Sequence, residues 1–137
     1  MTDIGFSHVA LECADADKSA AFYAHYAAMK IVHRRADKRS GRQVLWLADG
    51  SRPFVLVLIE VAGKPYPLRP IAHLGVGVAS RADIDRLAEE ARQAGCLALP
   101  PVDDGPPAGY YAILCDPDGH ALELSHGQEV GLVAGKT

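Results

Sequence analysis

His8 and Glu60 in the first half of this 137-residue chain are echoed by His73 and Glu123 in the second, at offsets of 65 and 63 residues. Imidazole nitrogens and carboxylate oxygens are borderline-hard donors that suit a divalent ion such as Zn²⁺, Ni²⁺, Co²⁺, Mn²⁺ or Fe²⁺. Three or four such ligands leave open positions for water or substrate, as catalysis by a metal requires. The competing reading makes His8 and His73 hydrogen-bonded core histidines and Glu123 a surface carboxylate. Two histidines at repeat-equivalent positions, with a carboxylate in the last strand, favour the metal.

The elements that must position these residues can be read from periodicity. Ile4 to Glu12 alternates between apolar and polar residues and carries His8 on a strand. Asp15 or Asp17 caps a helix, KSAAFYAHYAAM, in which Phe22, Tyr26 and Met29 recur at helical spacing. Residues 31–35 and 42–47 read as strands around the turn DKRSG, and 53–61 as a third, more continuously apolar one. The segment GKPYPLRP then interrupts regular structure, because proline removes donors and fixes φ. Beyond it, 71–78 is a strand with His73. A helix over 82–94 follows, with Ser80 as its N-cap and Gly95 as its C-cap. A short strand at 96–99, the loop PPVDDGPPAG, a strand at 110–115, the turn Asp116-Pro117-Asp118-Gly119 and a last strand at 121–125 complete the chain. Glu123 alternates with Leu122 and Leu124, so it projects from the opposite face of that strand.

Each half therefore has the order β-α-β-β-β. The expected fold class is α+β in one domain, with module 1 over about 4–62, a linker over 63–70, module 2 over about 71–126 and a tail over 127–137. The repeat sets Phe22 over Leu87 and Trp46 over Tyr111. Two such modules can curve their strands around a shared cleft.

Composition limits the partners. A formal net charge of −3, with 49% hydrophobic and 23% charged residues, gives no basic excess for nucleic acid. No run approaches the roughly 20 apolar residues of a membrane span, and the start has no basic segment followed by an apolar stretch. Cys13, Cys96 and Cys115 form no CxxC pair, which argues against a disulfide framework or thiolate zinc and for a cytoplasmic protein.

The stretches HVALECADADKSAAFYAHYAAMKIV, IAHLGVGVASRADIDRLAEEARQAG and AILCDPDGHALELSHG, in this order, resemble the vicinal oxygen chelate superfamily of glyoxalase I, bleomycin-resistance proteins and extradiol dioxygenases. The resemblance implies a cupped mixed sheet of two βαβββ modules, and a homodimer with the site in one chain or shared between two. It places His8, His73 and Glu123 at ligand positions. Glu60 fits only in one register, since Leu58 or Val57 can take the ligand position instead, and a one-residue slip turns a side chain to the other face. The implied function is a metal-dependent lyase or isomerase that chelates vicinal oxygens and stabilises an enediolate, with Glu123 as catalytic base. A dioxygenase with a His, His, Glu triad on Fe²⁺ is the alternative, and four ligands against three separates the two. A binding protein that sequesters its ligand without metal is the third reading.

Trp46, Phe54, Tyr110 and Tyr111 lie on strands that can line a small-molecule pocket, although aromatic residues in strands are generally core. His33, Arg34, Arg35, Lys38, Arg39 and Arg42 cluster around one hairpin and can attract an anion, although such a run is more often a solvated loop.

Overall fold

The computed structural model describes residues 4–134 and divides them into two compact units. Residues 1–3 and the last three residues of the expected tail lie outside the described residues. The division falls between Leu68 and Arg69, inside the proline-rich segment, but Asp116–Gly119 groups with the first unit.

The first unit contains β1 (His8–Cys13), α1 (Ala16–Ala27), β2 (Lys30–Ala36), β3 (Gln43–Ala48) and β4 (Val55–Glu60). Its sheet has the order β1-β4-β3-β2, with β1 parallel to β4 and the other pairs antiparallel. Of the two candidate caps, Asp15 takes the position, accepting a hydrogen bond from the Lys18 amide at 3.2 Å. α1 ends at Ala28, whose φ of 54° is left-handed and whose amide returns to the Tyr23 carbonyl. Leu11, Cys13, Leu45, Leu47, Leu56 and Leu58 are buried on one face of the sheet, and α1 contributes Ala16, Ala20, Tyr23 and Ala27 to the same core. The opposite face carries His8, Ala10 and Glu12 on β1, Val55, Val57 and Ile59 on β4, Val44 and Trp46 on β3, and His33 and Arg35 on β2.

The second unit contains β5 (Leu74–Gly77), α2 (Arg81–Ala94), β6 (Leu97–Asp103), β7 (Tyr110–Cys115), β8 (Ala121–His126) and a short α3 (Val130–Ala134) within the expected tail. Its order, β5-β8-β7-β6, repeats the first pattern, again with only the first and last strands parallel. Ser80 and Gly95 cap α2 as expected. Leu114, Leu122 and Leu124 are fully buried, as is Ile84 of α2, while Glu123 alternates to the other face. β6 runs through Pro100 and Pro101 into the expected loop. As an edge strand with irregular register it can lose two amide donors without breaking a central ladder.

Candidate metal centre

His73 lies just before β5, one residue outside the strand expected to hold it. Its Nδ1 is 2.7 Å from the Ile71 carbonyl oxygen. A carbonyl only accepts, so Nδ1 carries a proton, and in the neutral ring the lone pair sits on Nε2, the tautomer a metal ligand needs. That Nε2 is 4.0 Å from Glu123 Oε1. Bonds of about 2.0–2.2 Å to one ion, at tetrahedral or octahedral angles, set neighbouring ligand atoms roughly 3–3.6 Å apart, so the pair stands a few tenths of an ångström wider than a shared divalent ion would draw it.

Glu123 is 8% exposed on the middle of β8. Its Oε2 accepts from Gln128 Nε2 at 2.9 Å, which fixes the carboxylate and leaves Oε1 turned to His73. Gly75 stands directly across the ladder, where a Cβ would be 3.6 Å from Oε2, and the missing side chain keeps that side of the carboxylate clear. Sequence reasoning misses Gln128. It lies five residues beyond Glu123, past the last strand, where no periodicity points back to the site.

In the first unit, His8 opens β1 with Nδ1 2.8 Å from the Ser7 hydroxyl, which can donate or accept and so serves either tautomer. Glu60 is placed elsewhere. Pairing of His8 with Val55 and of Cys13 with Glu60 puts five residues of parallel ladder, about 17 Å, between them. Glu60 also points to the helix side of the sheet. Its Oε2 accepts from the Ala16 amide at 2.9 Å, in the first turn of α1, and its Oε1 from the Gln43 amide at 3.1 Å. Both oxygens serve the fold. The ladders identify the true counterpart of Glu123: Glu123 pairs with Gly75, two residues after His73, and Val57 pairs with Ala10, two residues after His8. The first module thus presents Val57 where the second presents a carboxylate. Among the described residues, no three His, Cys, Asp or Glu side chains converge as a metal cage.

The expected pocket aromatics separate in the same way. Trp46 lies on the His8 face, 37% exposed, and its ladder counterpart is Ile113, since Trp46 pairs with Val57 and Ile113 with Glu123. Tyr111 is on the Glu123 face, donating to Asp104 Oδ2 at 2.6 Å. That bond, reinforced by burial and by nearby negative charge, raises its pKa and keeps the phenol protonated. Tyr110 is turned to α2, where its hydroxyl donates to Asp85 and the Arg81 guanidinium lies over its ring, so it does not line the Glu123 face. Phe54 precedes β4, half-buried at the strand's entrance. A cavity of about 340 Å³ lies on the helix side of the first unit, lined by Ala20, Ala21, Ala24, Met29 and Ile31. It is on the opposite side of that sheet from His8.

Cys13, Cys96 and Cys115 take part in no disulfide among the described residues. No described helix is long and apolar enough to cross a membrane.

Two βαβββ units, each with a histidine at the entrance to its first strand and the second with a glutamate on its last, define a glyoxalase-like fold. The chain belongs to the Glyoxalase/Bleomycin resistance protein/Dioxygenase superfamily, whose model matches residues 5–124. An uncharacterised protein of Pseudomonas aeruginosa is 39% identical over 128 residues, covering 91% of this chain and 90% of its own. A mutant of glyoxalase I from Zea mays superposes with a TM-score of 0.68 at 22% identity over 87% of this chain, which spans only 43% of that protein. The fosfomycin resistance protein FosX of Listeria monocytogenes, as a mutant in complex with Mn(II) and 1S,2S-dihydroxypropylphosphonic acid, superposes with a TM-score of 0.71. That likeness is at 19% identity and covers 97% of this chain and 99% of the other. Both solved structures share the fold.

Proposed function

We propose that the protein is a metal-dependent enzyme acting on a small molecule with neighbouring oxygens, through a ligand set of His8, His73 and Glu123. The observation that carries this reading is the His73–Glu123 pair: an imidazole held in the ligand tautomer by a backbone carbonyl, 4.0 Å from a buried carboxylate. A divalent ion, when bound, supplies Lewis acidity to paired oxygens. The chain's own residues supply the proton chemistry. Gln128 anchors one oxygen of Glu123 and leaves Oε1, when not held by an ion, to take a proton, and the Tyr111 hydroxyl, its hydrogen donated to Asp104, offers an acceptor on the same face. A glyoxalase-type lyase or isomerase is the reading supported by the likeness to glyoxalase I. Val57, in the ladder position equivalent to Glu123, favours a second reading, a ring-cleaving dioxygenase, because a three-ligand set is that of a facial triad.

The test is metal analysis of the purified protein and four variants. Wild type holds about one divalent ion per chain. His8→Ala, His73→Ala and Glu123→Gln lose it. Glu60→Gln keeps it but unfolds at lower denaturant, by about 1 kcal/mol, because the first turn of α1 loses a charged acceptor. Wild type without stoichiometric metal ends the enzyme reading in favour of a sequestering protein. Turnover of the methylglyoxal–glutathione adduct, against ring cleavage of a catechol under oxygen, then separates lyase from dioxygenase.

A further inference from the structure

The open face of the first sheet carries a group of side chains that the metal reading does not use. One row across the strands is Ala10, Val57, Trp46 and His33, each paired with the next. In the adjacent row Arg35 stands opposite Val44. The His33 ring packs against the Trp46 indole at 4.8 Å between centroids, and the Arg35 guanidinium lies 5.6 Å from the indole centroid. A cation over an indole is oriented by the ring and keeps its N–H donors for a further partner.

Arg34 and Arg35 show the alternation of the strand. Arg34 points to the helix side and is neutralised by Asp17 at 2.8 Å. Arg35 points to the open face, where no described carboxylate lies within ion-pair distance. Glu12, the carboxylate on that face, sits three strands away on β1, about 14 Å, and accepts from the Tyr66 amide. Arg35 is therefore a preoriented cation beside exposed apolar surface from Trp46 and Ile59.

We infer that Arg35 and Trp46 form a binding subsite for the carboxylate and apolar body of a small organic acid, on the same face of the sheet as His8. The guanidinium fork takes the carboxylate, and the indole edge and Ile59 take the hydrocarbon. This deepens the proposed function by naming a substrate class, and it rests on that reading for the chemistry at the oxygen-bearing end.

Trp46 is the chain's single tryptophan, so its fluorescence reports the subsite directly, with or without metal. The full-length protein is titrated with benzoate, with inorganic phosphate for charge alone and with benzyl alcohol for the apolar body alone. Benzoate gives a saturable change. Phosphate and benzyl alcohol bind at least tenfold more weakly. Arg35→Met weakens benzoate at least tenfold, whereas Arg34→Met, on the other face, leaves it within twofold. Absence of a saturable benzoate response, equal binding of either control, or an unchanged Arg35→Met overturns the inference. Metal content is measured on the same samples: stoichiometric metal without a benzoate response sinks the subsite alone, and a benzoate response in a protein that binds no metal sinks the enzyme reading alone.

Discussion

Glu60 and Glu123 are chemically identical, and their surroundings give them opposite work. Glu60 faces two backbone amides at the start of α1 and beside β3, whereas Glu123 faces one side-chain amide and one imidazole nitrogen. The placement of His8, His73 and Glu123 at or beside strands is legible in the sequence because each follows or precedes a recognisable turn or strand start. Glu60 misleads because Val55–Glu60 is apolar almost throughout, so neither face is marked by alternation. Cys13 is a residue whose environment is not legible at all. It is buried beneath α1, and desolvation first, then the charges of Asp118 and Glu60, push its thiol up to about 12. At pH 8 only about one thiolate in 10⁴ would form. Alkylation followed by peptide mass mapping is expected to leave Cys13 unmodified in the native protein and to label it once denaturant is added.

At the scale of elements, both helices are readable from their caps: Asp15 and Ser80 at the starts, Gly95 at the end of α2. The strand ends are less so, since β6 crosses two prolines and β5 starts after His73. α1 differs from α2 in closing on Ala28 with φ 54°, where a Cβ opposes the left-handed backbone that Gly95 adopts freely. Ala28→Gly is expected to raise unfolding free energy by about 0.5–1 kcal/mol, the left-handed strain exceeding the extra chain entropy of glycine. A urea midpoint that falls would show that the turn, not the backbone strain, sets the cost.

At the scale of the molecule, the repeat is legible as element order, and the structure adds where it is broken. The Asp116–Gly119 turn belongs to the first unit. Asp116 accepts from the buried Tyr23 hydroxyl at 2.8 Å, while Asp118 accepts from Ser19 Oγ at 3.2 Å and the Ala14 amide at 3.1 Å. Burial and the Asp116 charge raise the Tyr23 pKa, so the phenol remains a donor across the working range. No sequence period relates this turn to α1, because its partners lie 93 to 104 residues away. A fragment ending at Leu68 would leave the Tyr23 hydroxyl buried without its acceptor, at a cost of about 1–3 kcal/mol for that group alone. Such a fragment is expected to lack a cooperative melting transition, and to regain one when residues 69–137 are supplied in trans.

The same turn bears on how such a chain can be cut and rearranged. A nick in the proline-rich segment would not separate two self-sufficient halves, because four residues of the later half group with the earlier one and one of them, Asp116, takes the hydrogen bond of its buried Tyr23. Gene splitting at that point, or transplanting the first module by itself, would inherit an unfinished core. The repeat in this chain is, in physical terms, not divisible at its midpoint.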